Sequence, residues 1–195
     1  MDPQHRKYSS IYYGLRCGET VSEKQGVITD STHLSYYYGL TSDGILQVEK
    51  SCAQMKEIIT EPIFYFNGNY FSARRTAEIA NTVLGGTLSF TSFLAQRGLG
   101  TLIGKDSTHY ERLWREDARD VLHSEFGVES LVKLSQRLGQ FLWQTEYDYP
   151  NSTIVVVAGQ DVISALQCMY QNVNLRFHRK YAFEPGELRN FESEK

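Results

Sequence analysis

With 195 residues, 41% of them apolar and 22% charged, the chain is long enough for one domain with a buried core and too apolar for an unfolded tail. Its net charge is −3 and its 20 Lys and Arg are scattered, which argues against an obligate binder of nucleic acid or of an anionic membrane surface. Three cysteines, Cys17, Cys52 and Cys168, are too few for a disulfide scaffold and fit a reducing intracellular setting, the cytoplasm by default, with no organelle excluded.

Residues 1–10 are polar, with neither the apolar centre of a signal peptide nor an Arg-rich presequence. Residues 10–15 read as a short strand, followed by a glycine-containing loop over 16–26. Residues 30–40 read as irregular and include Tyr36, Tyr37 and Tyr38. Thr41 or Ser42 suits an N-cap, because a short hydroxyl satisfies an orphan amide there. Beyond it Ile45, Val48, Cys52, Met55 and Ile59 recur at steps of three and four, one buried helical stripe. Pro62 closes that helix, residues 63–66 form the next strand, and Asn67, Gly68 and Asn69 end it.

A second helix is expected over about 71–84, with Ala73, Ala77, Ala80 and Leu84 on its packing face, stopped by Gly85 and Gly86. Residues 87–90 suit a third strand. The stretch from about 95 to 125 is the most polar and reads as an excursion from the core, with some helix around 110–117. Leu131, Leu134, Leu138, Phe141 and Thr145 then mark a long amphipathic helix ending before Pro150. The β-branched run 153–157 is of the kind buried on both faces of a parallel sheet, and at five residues it is far too short for a membrane span. Residues 160–170 are helical again, and 179–191 could supply a last extended segment. Alternating β and α without repeats or linkers predicts one domain, an α/β three-layer α/β/α sandwich on a mainly parallel central sheet, with its core over about 9–190.

Generic motifs are sparse. There is no Gly-x-Gly-x-x-Gly after the first strand, no Walker loop and no Gly-x-Ser-x-Gly elbow. His5, His33, His109, His123 and His178 lack metal-ligand spacing, so no metal or cofactor is expected. Cys17 ends a strand between Arg16 and Gly18, where a thiolate could be stabilised, or where a small apolar residue simply packs. A cysteine phosphatase loop needs an arginine six residues after the thiol, and that position is Glu23.

Six segments, in order, resemble the histidine phosphatase superfamily, the phosphoglycerate mutase-like proteins of branch 1. Gly14-Leu15-Arg16-Cys17-Gly18-Glu19-Thr20 is similar to its L-R-H-G-E-T signature, and Gly39-Leu40-Thr41-Ser42-Asp43-Gly44 to its G-L-T-x-x-G. Ser72-Ala73-Arg74-Arg75-Thr76-Ala77-Glu78 resembles R-A-R-x-T-A-E, and residues 96–104, opening on Gln96-Arg97, resemble E-R-x-x-G-x-x-x-G. Gly127-Val128-Glu129-Ser130 resembles G-x-E-S, and residues 155–161 resemble V-V-S-H-G-D. The resemblance implies the family's chemistry: a strand-end histidine attacks phosphorus, two arginines and a second histidine surround the phosphate, and a carboxylate protonates the leaving group.

Carried over position by position, the resemblance implies a damaged site. The nucleophilic histidine position is Cys17, the second phosphate-binding arginine position is Ser72, and the second histidine position is Gly159. Arg16 is retained, and Glu129 stands at the general-acid position. Gly18, Glu19 and Thr20 match the signature, and Glu23 adds a negative charge beside it. Arg16 and Glu129 are expected to face one another across a shallow pocket. Arg74 and Arg75 read as helix-surface arginines, although a slip in the match at Ser72 would bring either to the phosphate. Two lost cationic donors alone remove on the order of 3–6 kcal/mol of transition-state stabilisation.

The expected function is a catalytically inactive protein of this fold, acting as a structural or interaction subunit with unidentified protein partners and with a homodimer possible. The alternative is an altered hydrolase using Cys17 as nucleophile and Glu129 as general acid. A third reading is a non-catalytic metabolite sensor. Neither nucleic acid nor membrane insertion is expected.

Overall fold

The β-branched run at 153–158 folds as the strand around which the molecule is organised. A computed structural model describes residues 8–29, 38–66 and 69–192. In chain order the larger elements are β1 (Ile11–Arg16), α1 (Val21–Lys24), α2 (Ser42–Met55), β2 (Ile63–Phe66), α3 (Phe71–Leu84), β3 (Thr87–Phe90), α4 (His109–Arg119), α5 (Leu131–Asp148), β4 (Thr153–Ala158), α6 (Gln160–Tyr170) and β5 (Leu188–Asn190). The sheet order is β3-β2-β4-β1-β5. β1, β2, β3 and β4 are mutually parallel, and β5 runs antiparallel along β1.

Strand alternation divides the core between the two faces of this sheet. Tyr12, Ile154, Val156 and Ala158 point to one face, where α5 and α6 bring Leu134, Leu138, Phe141 and Leu166. Tyr13, Leu15, Val155 and Val157 point to the other, where α2 and α3 bring Val48, Cys52, Ala73, Ala77 and Ala80. The three-layer sandwich and its mainly parallel sheet are therefore as the periodicity predicts. Thr41 is the N-cap of α2, its hydroxyl accepting from the Gly44 amide.

Three local expectations are corrected. The loop over 16–26 contains α1, closed by a capping box in which Thr20 and Glu23 bond each other's backbone amides. The excursion is not merely polar: Leu99, Leu102, Leu113 and Val128 join Ile28 in a separate buried cluster. Only Leu188–Asn190 of the last segment is a strand, because the 3-10 helix Leu175–Tyr181, capped by the Asn174 side chain, occupies the chain before it. The irregular stretch 30–37, the first two residues of the Asn67-Gly68-Asn69 turn, and residues 1–7 lie outside the described residues. Among the described residues no helix is long and apolar enough to cross a membrane.

Candidate functional site

Parallel strands end together, so the chain leaves β1 and β4 side by side at the carboxyl edge of the sheet. Arg16 is paired with Ala158, and the Cys17 amide donates to the Ala158 carbonyl at 3.1 Å, which puts Cys17 beside Gly159. A cavity of about 410 Å³ opens above this edge. Arg16, Cys17, Glu23, Gln96 and Gly159 line it, together with Trp114 of α4 and Arg179 of the 3-10 helix.

Arg16 is already occupied. Its Nη2 donates to Glu23 Oε1 at 2.5 Å and its Nη1 to the Phe183 carbonyl at 2.6 Å. Glu23 is fixed in turn, since its other oxygen accepts the Thr20 amide at 2.9 Å. The Cys17 thiol is pushed up to about 12, by burial first and by the Glu23 charge second, against which Arg16 pulls only weakly. It is a protonated, buried thiol at neutral pH.

The remaining signature residues serve the turn. The Glu19 carboxylate accepts the Thr41 hydroxyl at 2.8 Å, and its amide donates to Gln47. Gly18 lies backbone to backbone with Gly44: a Cβ on either would stand 2.2 Å from a carbonyl oxygen of the facing segment. Only glycines permit the loop after β1 to sit on the first turn of α2.

Of the residues singled out from sequence, Gly18, Glu19, Ser72 and Glu129 do not line the cavity. Ser72 is buried in the first turn of α3, and the side chain that reaches the cavity there is Tyr70. Glu129 does not face Arg16, contrary to expectation. Arg137, two turns into α5, holds its carboxylate through Nε at 2.8 Å and Nη2 at 3.0 Å, and the Gly98 amide adds a bond at 3.3 Å. Arg74 and Arg75 both bond Glu78 on the exposed face of α3.

Gln96 is the residue that motif reading passed over. Gly159 is the N-cap of α6, and a Cβ there would meet the Gln96 amide oxygen at 2.2 Å. The amide thus occupies the space where a side chain at 159 would begin. Among the described residues no histidine lines the cavity.

Behind this wall lies a buried polar network, also missed. Arg97 makes a two-pronged pair with Asp117, 2.7 Å on each arm, reaches Asp161 at 3.4 Å, and donates Nε to the Glu129 carbonyl. His123 bonds Asp117 at 2.8 Å, and buried His178 lies 3.9 Å from it. Burial would raise the Asp117 carboxyl, but the Arg97 bonds and charge outweigh it and hold it below the usual range. Burial pulls His178 down, so it stays neutral.

Residues 13–195 match the sequence profile of the histidine phosphatase superfamily (branch 1). The chain belongs to that superfamily. Comparison with curated sequences finds no relative. Among solved structures, this histidine phosphatase superfamily member is similar to a mycobacterial glucosyl-3-phosphoglycerate phosphatase complexed with VO3 (TM-score 0.72, 18% identity, 86% of this chain and 83% of that one). It is similar also to a phosphoserine phosphatase of Entamoeba histolytica in complex with 3-phosphoglyceric acid (0.70, 19%, 92% and 88%). A third is the alpha-ribazole phosphatase of Shigella flexneri (0.69, 17%, 91% and 88%). At these identities the likeness is one of fold.

Proposed function

We propose that this superfamily member has given up phosphoryl transfer and serves as a structural or interaction subunit of a larger assembly. The observation that carries the reading is the state of Arg16. Arg16, the arginine at the strand edge, is neutralised by Glu23 at 2.5 Å, in a cavity lined by Cys17 and Gly159, the two residues that the resemblance aligns with the family's histidines. A dianionic ester needs several uncompensated cationic donors, and here it meets a carboxylate first. The solved relatives named phosphatases share the fold and do not require the activity.

The alternative hydrolase is opposed on both of its groups. Cys17 has its pKa at about 12, which leaves almost no thiolate nucleophile at neutral pH, and Glu129 is engaged by Arg137 away from the cavity. A role toward protein partners is supported by Trp143 and Tyr147 on α5, stacked at 5.9 Å and 71% and 77% exposed, since large exposed aromatics are costly unless covered.

The test is turnover of an aryl phosphate and a panel of sugar phosphates by the wild type and by Cys17→Ala. No activity in either protein is expected. Turnover that disappears with Cys17→Ala would establish a cysteine-dependent hydrolase instead.

A further inference from the structure

At one end of the sheet β3 pairs with β2 on its inner side and, among the described residues, with no strand on its outer side. The amides of Thr87 and Thr91 donate inward, to the carbonyls of Pro62 and Phe66. Strand alternation therefore turns the backbone N–H and C=O groups of Leu88 and Phe90 outward. The side chains of the same two residues are 39% and 58% exposed. Natural sheets blunt such an edge with lysine, proline, a bulge or a covering element. Residues 79–96 contain neither a charged residue nor a proline, so the edge is left open to another strand.

Beside this edge runs a groove of about 150 Å³, whose lining includes Tyr65, Ser89, Phe93, Phe141, Asp148 and Tyr149. Tyr65 packs edge-to-face with Phe141 at 5.3 Å and with Tyr149 at 6.2 Å. Ser89 is the register partner of Tyr65, which puts the groove on the α5 face of the sheet. Small-molecule sites run to roughly 300–1,000 Å³, so a groove of this size takes one side chain. Asp148 is the last residue of α5, exposed, and without an ion pair among the described residues. An acid there lies in the negative field of the helix C-terminus, and the last turn has no Lys or Arg to offset it. A carboxylate, a helix C-terminus and aromatic rings all favour a cation.

Resting on the reading of this chain as an interaction subunit, we propose that β3 binds an extended segment of a partner protein as a sixth strand, with a Lys or Arg of that segment in the groove against Asp148. Backbone bonds to Leu88 and Phe90 hold the segment, and the groove selects it. Cross-strand neighbours share a face, so the residue opposite Ser89 enters the groove and those on either side of it lie beside Leu88 and Phe90. The segment therefore reads apolar, basic, apolar. A second copy of this chain does not fit, because its own β3 and the residues around it, 79–96, carry no base to meet Asp148.

The test is fluorescence anisotropy of a fluorescein-labelled, end-blocked Thr-Val-Lys-Val-Thr peptide titrated with the full chain. Saturable binding is expected, weakened about tenfold when Glu replaces the peptide's Lys and about threefold by Asp148→Asn. Phe90→Pro should abolish it, because proline removes an outward N–H and an exposed apolar side chain while the bonds between β2 and β3 remain. If that variant does not fold, the Glu peptide and Asp148→Asn still decide, since neither touches the sheet. No saturable binding, equal binding of the two peptides, or binding unchanged by Asp148→Asn overturns the inference and leaves the proposed function standing. A dimer in sedimentation that Phe90→Pro dissociates also overturns it, by giving the edge to a second copy. Turnover of the phosphate panel overturns the proposed function and is read separately from peptide binding.

Discussion

Glu23 illustrates how one side chain can serve the fold and alter the site together. One of its oxygens closes the capping box on Thr20, and the other neutralises Arg16. Glutamine can satisfy a capping box as well as glutamate can, so Glu23→Gln should keep α1. The lost pair is partly exposed, 17% on Arg16 and 41% on Glu23, and its loss should cost no more than about 1 kcal/mol. The expected gain is anion affinity: the variant should show a phosphate-dependent rise in melting temperature that the wild type lacks. An unchanged response would mean that Arg16 is held by the Phe183 carbonyl rather than by charge. The resemblance put the Glu23 charge beside the site but set Arg16 against Glu129, so the Arg16–Glu23 pair itself was not read from the sequence. Nor was the Glu129–Arg137 pair, since nothing in a motif says that an arginine two turns into the following helix will reach back. Gln96 was quoted only as the opening of a motif and given no role, because nothing in the sequence shows that its amide packs against Gly159.

At the scale of elements, long periodic segments were readable and short or irregular ones were not. The β-branched run of β4 and the three-four spacing in α2, α3 and α5 are set by burial against the sheet, so sequence and structure agree there. α1 spans four residues and has no periodicity to read; its signal was the Thr20–Glu23 spacing. The excursion hid its own apolar cluster because Leu99, Leu102 and Leu113 are separated by polar surface residues. Gly44 sets two element-scale effects against each other. Helix propensity alone predicts that Gly44→Ala stabilises α2 by about 1 kcal/mol. The new Cβ would instead stand 2.2 Å from the Glu19 carbonyl, a backbone atom that cannot swing away. Overpacking of this kind costs about 1–3 kcal/mol, so the variant should be less stable in denaturant unfolding. A gain in stability would show that the β1–α2 junction is looser than the structure has it.

Across the whole molecule, the Arg97 network ties together the excursion, α4, α6, the 3-10 helix and the turn before α5. Its titration determines how the fold answers acid. His178 is neutral in the fold, its pKa pulled below 6.5 by burial and by Arg97, against the opposing pull of Asp161 and Asp117. The unfolded chain therefore binds a proton that the folded chain refuses, and stability falls as pH drops below 6.5. Asp117, held low by Arg97, adds a further loss once pH falls through the ordinary carboxylate range. His178→Asn keeps a donor near the Leu175 carbonyl and removes the titrating ring. It should be less stable at neutral pH but show a flatter pH dependence below pH 6.5, as read from denaturant midpoints. A slope equal to that of the wild type would place the acid sensitivity elsewhere.

The strand order also sets a timetable. β1 is an interior strand of the sheet, yet its parallel neighbour β4 follows it by about 140 residues, and its other neighbour, β5, comes later still. During synthesis β1 waits, edges unpaired and both apolar faces uncovered, while α2, β2, α3 and β3 emerge and can associate locally. Closing so long a loop makes the β1–β4 pairing late and slow in any refolding experiment. An interior strand thus stays unpaired until the residues up to β4 have been made, which makes the unfinished chain, more than the finished one, the form most in need of a chaperone.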